Sequence, residues 1–122
     1  MDINITVKDV VLTAELDDTP TGRKVASILP LENSFNTWGD EIYFEIPVSA
    51  ELDETAREVV ALGDLGYWPT GRAFCIFFGP TPMSREGKIV PASAVNIIGR
   101  VKGDVRCLKG VLSAERIRVA HG

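Results

Sequence analysis

Few side chains in this chain are of kinds that do chemistry unaided. Its single histidine, His121, stands at the end of the sequence, and its two cysteines, Cys75 and Cys107, lie far apart with no Cys-x-x-Cys spacing. Zinc usually takes four nitrogen or sulfur ligands, so these residues are too few for such a centre. No EF-hand spacing is present either. The sequence therefore implies no metal site and no cofactor. Cys75 would need a base and a depressed pKa to act as a nucleophile, yet its neighbours are Phe74 and Ile76. An inert, buried thiol is the expectation. Asp40, Glu41, Glu45 and Asp64 offer carboxylates for acid–base work. Asp and Glu beside glycine turns are more simply exposed turn residues, and that is how they are read. No catalytic residue is named from the sequence.

Binding is better represented than catalysis. Trp38, Tyr43, Tyr67, Trp68 and Phe77 fall in two stretches, Trp38 to Val48 and Gly63 to Pro82. Aromatic walls with a few polar groups describe a small-molecule or peptide pocket. The same rings would serve equally as core. The candidate pocket set is Trp38, Tyr43, Glu45, Tyr67, Trp68, Arg72, Cys75 and Phe77.

These residues need a scaffold. The chain has 122 residues, 45% hydrophobic and 25% charged, which suits one soluble domain over residues 1–122. Its net charge is −4, and its lysines and arginines are scattered. A group at Arg100, Lys102, Arg106 and Lys109 reads as solvated cations. Nucleic acid is therefore not an expected partner. No charged segment followed by an apolar one opens the chain, and no apolar run is long enough to cross a bilayer, so the default placement is cytoplasmic, away from the membrane.

Alternation with period two marks the strands. Ile3, Ile5 and Val7, then Val10, Leu12, Ala14 and Leu16, give a hairpin turning at Lys8-Asp9. Ile42, Phe44 and Ile46 give a third strand after a Gly39-Asp40 turn. Glu58 to Leu62 is a further candidate. Arg72 to Phe78 does not alternate, so it must be covered on both faces. Ala94 to Val101 and Glu115 to Ala120 complete the set. Thr19 with Pro20 starts a helix bearing Val25, Ala26, Ile28 and Leu29 on one stripe, and Pro30 ends it. Asp104 caps a second short helix through Val111. The fold class expected is mainly β: a closed antiparallel barrel of about eight strands with two short helices capping it.

The segment VNIIGRVKGDVRCLKGVLSAERIRV, from Val95 to Val119, resembles the end of a cyclophilin. Gly71 to Phe78, GRAFCIFF, resembles its Gly-Ser-Gln-Phe-Phe-Ile-Cys strand. More closely, WGDEIYFEIPV with GDLGYWPTGRAFCIFFGPTP resembles the family of small, functionally uncharacterised prokaryotic cyclophilin-like proteins. The likeness covers nearly the whole chain and implies the same capped barrel. Cyclophilins are peptidyl-prolyl isomerases whose site uses an Arg, a Gln, a Phe and a His. Carried over, the Arg position falls on Glu45, the Gln on Ala73, the neighbouring Phe on Cys75, and the His on or beside Val95. Weakening an amide whose rotation barrier is ~18–20 kcal/mol needs a donor aimed at it, and an ionised Glu45 only accepts. Arg72 is the nearest cation in sequence. The resemblance also implies that Tyr43 and Glu45 share a face with Ala73, Cys75 and Phe77. The favoured expectation is a module binding a small molecule or peptide without isomerase chemistry. A divergent prolyl isomerase and a homodimeric interaction protein are the alternatives.

Overall fold

The computed structural model describes residues 1–122. Strands β1 (Asp2–Val7) and β2 (Val10–Leu16) form the first hairpin, turning at Lys8 with φ 56°. Their register pairs Ile3 with Ala14, Ile5 with Leu12 and Val7 with Val10, so one face of both strands is apolar and buried. Helix α1 runs Pro20–Ser27, and the Thr19 hydroxyl accepts from the Gly22 amide at 3.1 Å. That bond satisfies one of the free N–H groups of the first turn. Beyond Ser27, Ile28 and Leu29 donate to Val25 and Ala26, tightening the helix end before Pro30.

The next strands are short: β3 (Leu31–Asn33), β4 (Asn36–Thr37) and β5 (Glu41–Glu45). The strand expected over Glu58 to Leu62 does not form. Val60 alone bridges to Ile89 there, while Ala61 donates to the Asp64 carboxylate at 2.8 Å. Pairing falls instead to β6 (Ala56–Arg57), which lies along β9. Strands β7 (Asp64–Trp68), β8 (Ala73–Phe77), β9 (Val95–Val101) and β10 (Ile117–His121) complete the sheet. Between β9 and β10 a 3₁₀ helix spans Val105–Gly110, with the Asp104 carboxylate accepting from the Arg106 amide at 3.1 Å.

All ten strands join one antiparallel sheet in the order β3-β10-β1-β2-β9-β7-β8-β5-β4, with β6 beside β9. This corrects the expected closed barrel of about eight strands. The sheet has ten strands, and no ladder pairs its two ends. Those ends, β3 and β4, are separated only by Ser34 and Phe35, so the sheet must curl for them to meet. Across that seam the Asn33 side-chain amide donates to the Glu45 carbonyl at 3.0 Å. One side-chain bond stands where a ladder would have to run, because a three-residue and a two-residue strand leave too little backbone to pair.

Curling separates two apolar clusters. The larger fills the inner face with Ile3, Ile5, Leu16, Phe44, Leu65, Tyr67, Phe74, Ile76, Ile98 and Val119, among others. Phe44 and Phe74 stack there with centroids 5.3 Å apart. The smaller lies on the outer face of β8 and comprises Val60, Ala73, Cys75, Phe77 and Val95. Every residue of β8 is buried, as a strand without alternation requires. No helix is long and apolar enough to cross a membrane.

Candidate functional site

The outer face of β5, β7 and β8 carries a cavity of about 190 Å³ lined by Trp38, Glu41, Tyr43, Trp68, Pro91, Ala92 and Val95. Two tight turns deliver its aromatic and acidic groups. Trp38 and Glu41 flank the Gly39-Asp40 turn and exchange backbone hydrogen bonds of 2.9 and 3.2 Å. Gly39 has φ 60°, which a two-residue hairpin asks of its first central position. The turn is pinned from outside, since the Asp40 amide donates to Pro80 O and the Phe78 amide to Asp40 O, both at 2.9 Å. Cross-strand partners project from the same face, so this turn sets Trp38 beside Glu41. Tyr43 follows one pleat further on.

The second turn joins β7 to β8. Trp68 pairs with Ala73 across a 3₁₀ turn at Pro69–Gly71, which Arg72 closes at φ 50°. The Trp68 ring folds back over Gly71: a Cβ there would meet its Cε3 and Cζ3 at 2.6 Å. The indole N–H donates to Ser93 Oγ at 2.6 Å, tying the ring to the segment that supplies Pro91 and Ala92. Tyr43 and Trp68 meet edge to face, centroids 6.3 Å apart at 83°. That segment is itself braced. The Thr81 hydroxyl is bonded to Val90 O, and Ser84 Oγ accepts from the Thr81 amide at 2.8 Å and the Val90 amide at 3.1 Å.

The sequence reads Glu41 as an exposed turn carboxylate. It is instead only 5% exposed and joins none of the protein's ion pairs. Burial among rings raises its pKa from 4.5 to about 7, partly opposed by a hydrogen bond with the Cys75 thiol. The turn alone would leave it exposed, but the 79–94 segment folds over that face. The sequence did hold a signal. Glu41 sits two residues before Tyr43, so the alternation that turns Tyr43 outward turns Glu41 the same way.

Cys75 is fully buried beneath the pocket, opposite Tyr43 on β5 and Gly66 on β7. Its thiol lies beside the Glu41 carboxyl and 3.8 Å from the Ala73 carbonyl oxygen. Burial pushes its pKa well up, and the Glu41 charge pushes the same way. This is an unreactive thiol at neutral pH. Phe77 is buried beside it.

The other candidates lie elsewhere. Tyr67 faces inward, opposite Phe74, and its hydroxyl donates to the Val48 carbonyl at 2.5 Å. One residue of register separates it from Trp68, and in a pleated strand that means the opposite face. Glu45 is exposed at the end of β5, opposite Ala73. Arg72 is exposed at the hairpin turn, its carbonyl accepting from Ile46 at 2.9 Å. Neither lines the cavity. The structure thus brings Trp38, Tyr43 and Trp68 around one hollow, sets Cys75 and Phe77 under it, and leaves Tyr67, Glu45 and Arg72 outside. No three of the chain's His, Cys, Asp and Glu side chains gather into a group able to hold a metal ion.

The profile of the family described as Cyclophilin-like matches residues 1–120. The solution structure of a hypothetical protein from Archaeoglobus fulgidus is similar to this chain throughout. It has 43% identity and a TM-score of 0.82, covering 100% of this chain and 95% of that one. The structure of McbB in complex with tryptophan resembles it in fold, with a TM-score of 0.71 at 14% identity, covering 98% of this chain but 44% of McbB. No curated protein matches the sequence.

Proposed function

The chain belongs to the Cyclophilin-like family, and from that scaffold we propose that it is a binding module whose outer-face pocket takes a small molecule or a single side chain of a peptide. In this reading the curled, unclosed sheet is the counterpart of the cyclophilin barrel, supported at its seam by the Asn33–Glu45 bond rather than by a ladder. The observation that carries the reading is the cavity of about 190 Å³ with three aromatic walls and one buried acid. Pockets for drug-sized ligands run to ~300–1,000 Å³, so the occupant is small.

Several features favour binding over isomerisation. Lowering an amide rotation barrier electrostatically needs a fixed donor at the site. No lysine or arginine lines this cavity, the Trp68 indole is committed to Ser93, and the donors left are the neutral Trp38 indole and Tyr43 hydroxyl. Arg72 stands outside. McbB, which shares the fold, is seen with tryptophan, and a small amphipathic ligand of that size class suits an aromatic hollow.

The test is a fragment screen followed through the indole N–H signals of Trp38 and Trp68 in nitrogen-edited NMR spectra. Small neutral and charged fragments should shift both signals together, and Trp38→Ala should abolish the response at Trp68. A screen in which no fragment moves either indole would overturn the proposal. Exchange of a proline peptide between cis and trans should run at the buffer rate in the same samples.

A further inference from the structure

The acid in this pocket has no counter-ion. Of the nearby cations, Lys109 is 3.4 Å from Asp40, and Arg72 is exposed at the β7–β8 turn. The residues lining the cavity with Glu41 are two tryptophans, a tyrosine, a proline, an alanine and a valine. Every sealed side-chain polar atom in the protein has a partner. Apart from the adjacent Cys75 thiol, whose proton is directed at the Ala73 carbonyl at 3.8 Å, no donor of the protein reaches the Glu41 carboxyl, so its acceptor capacity opens onto the cavity it lines. Folding has left in place an ionisable acid that a hydrophobic residue of similar size would replace at lower cost. Beside it stand three electron-rich rings, whose faces attract cations.

We propose that the pocket's ligand is a small alkylammonium ion, its charge on the Glu41 carboxylate and its carbon chain among Trp38, Tyr43 and Trp68. This rests on the binding reading above and names its chemical class. The ammonium supplies the donors that Glu41 lacks, and the rings take up the methylenes. A lysine side chain carries the same chemistry, so a free amine and a capped lysine are both sources of the group.

Recognition of this kind depends on the charge of Glu41. The titratable groups facing that carboxyl are Cys75 from β8 and Tyr43 from β5, and the 91–95 segment contributes none to the lining. Asp40 beside it in sequence is engaged with Lys109. With the Glu41 pKa raised to about 7, ammonium binding strengthens between pH 6 and pH 8 as the carboxyl ionises.

The experiment titrates the intact protein with n-butylammonium, with n-butanol as the uncharged probe of similar size, and with N-acetyl-lysine amide, reading the Trp38 and Trp68 indole signals. Butylammonium should bind at least about tenfold more tightly than butanol at pH 8. A stronger response to acetyl-lysine amide would assign the group to a peptide side chain, and a stronger response to butylammonium to a free amine; either supports the class. Glu41→Gln should remove the preference for charge while butanol still binds, and Asp40→Asn should leave the preference intact. Equal binding of the alcohol and the ammonium, or a preference that survives Glu41→Gln, would overturn the assignment and leave the pocket reading standing. If no probe moves either indole, both fall together.

Discussion

Two partly or fully buried acids of this chain, Asp53 and Glu41, make an instructive pair. Asp53 is the more exposed of the two and its pKa is lowered, while the buried Glu41 is raised to about 7. Burial acts upward on both. At Asp53 it is outweighed by donors: the Thr55 amide at 2.8 Å, the Thr55 hydroxyl at 2.6 Å and the Thr21 hydroxyl at 3.2 Å. Asn96, fully buried, completes that network. Its amide nitrogen donates to Glu51 O at 2.9 Å and to Thr21 Oγ1 at 3.3 Å, and its oxygen accepts from the Asp53 amide at 2.9 Å. Glu41 has one weak sulfur donor. Depth and hydrogen-bond donors act together: the shallower acid with three donors is held ionised, and the deeply buried one with almost none is not. Asp53 anchors the chain between β5 and β6 onto α1 and β9. Glu41 is left with capacity to spare, and that is the difference between a structural acid and a binding one.

The largest expected effect tests the Glu41 side of this pair. A carboxyl whose folded-state pKa lies above its unfolded value holds more protons in the native state between the two. Native stability is then greatest below pH 4.5 as far as Glu41 is concerned, and declines as pH rises toward about 7. Across that window the loss should approach about 3 kcal/mol. Urea midpoints at pH 5 and pH 8 measure it, and Glu41→Gln should flatten the difference. A wild-type profile already flat would erase the contrast between the acids. Asp53 works in the opposite direction, its contribution being present above pH 3.8 and lost as pH falls further.

Next in size is the network itself. Asn96→Ala should cost about 2–3 kcal/mol, because it strands the Asp53 amide and the Glu51 carbonyl. Urea unfolding at a fixed pH reads this directly. A loss under about 0.5 kcal/mol would mean that water substitutes for the amide and that Asp53 is no better supported than Glu41.

Thr21→Val removes one donor and should cost about 1 kcal/mol. Its sharper readout is the carboxyl carbon of Asp53 in an NMR titration, whose midpoint should move upward while that of Glu41 stays fixed. Smallest in free energy is Gly71→Ala. The added methyl displaces the Trp68 ring that now lies over the backbone, so the Trp68 indole should lose its bond to Ser93. The shift of that indole N–H should move toward the solvent value with the fold otherwise intact, and an unmoved signal would show that Gly71 does not position the ring.

Much of the scaffold was written in local patterns. Alternation located β1, β2, β5, β9 and β10. Thr19 with Pro20 announced α1, and Gly39-Asp40 announced the turn at the pocket. The unbroken apolar run in β8 required cover on both sides, and the register puts Tyr43 and Cys75 opposite one another. Tyr67 was misplaced for want of that register: Trp68 pairs with Ala73 and Tyr67 with Phe74, so the two adjacent rings part company. Glu58 to Leu62 carries strand-forming valines and a leucine, yet the segment bonds to Asp64 and Ile89 rather than to a ladder.

The amino-acid sequence alone determined which residues of each strand share a face, because a pleat alternates with period two whatever surrounds it. Only the tertiary structure decided what lies over each face. Glu41, Tyr43 and Glu45 point the same way from β5, but the 79–94 segment covers the first, half covers the second and leaves the third in water. Burial, and with it the pKa of the one acid that matters most here, depends on a segment about forty residues away in sequence, and no local period reports on so distant a neighbour. Closure of the sheet escaped for the same reason: whether its ends pair depends on how far two very short strands reach across a seam, which is settled by the curl of the whole.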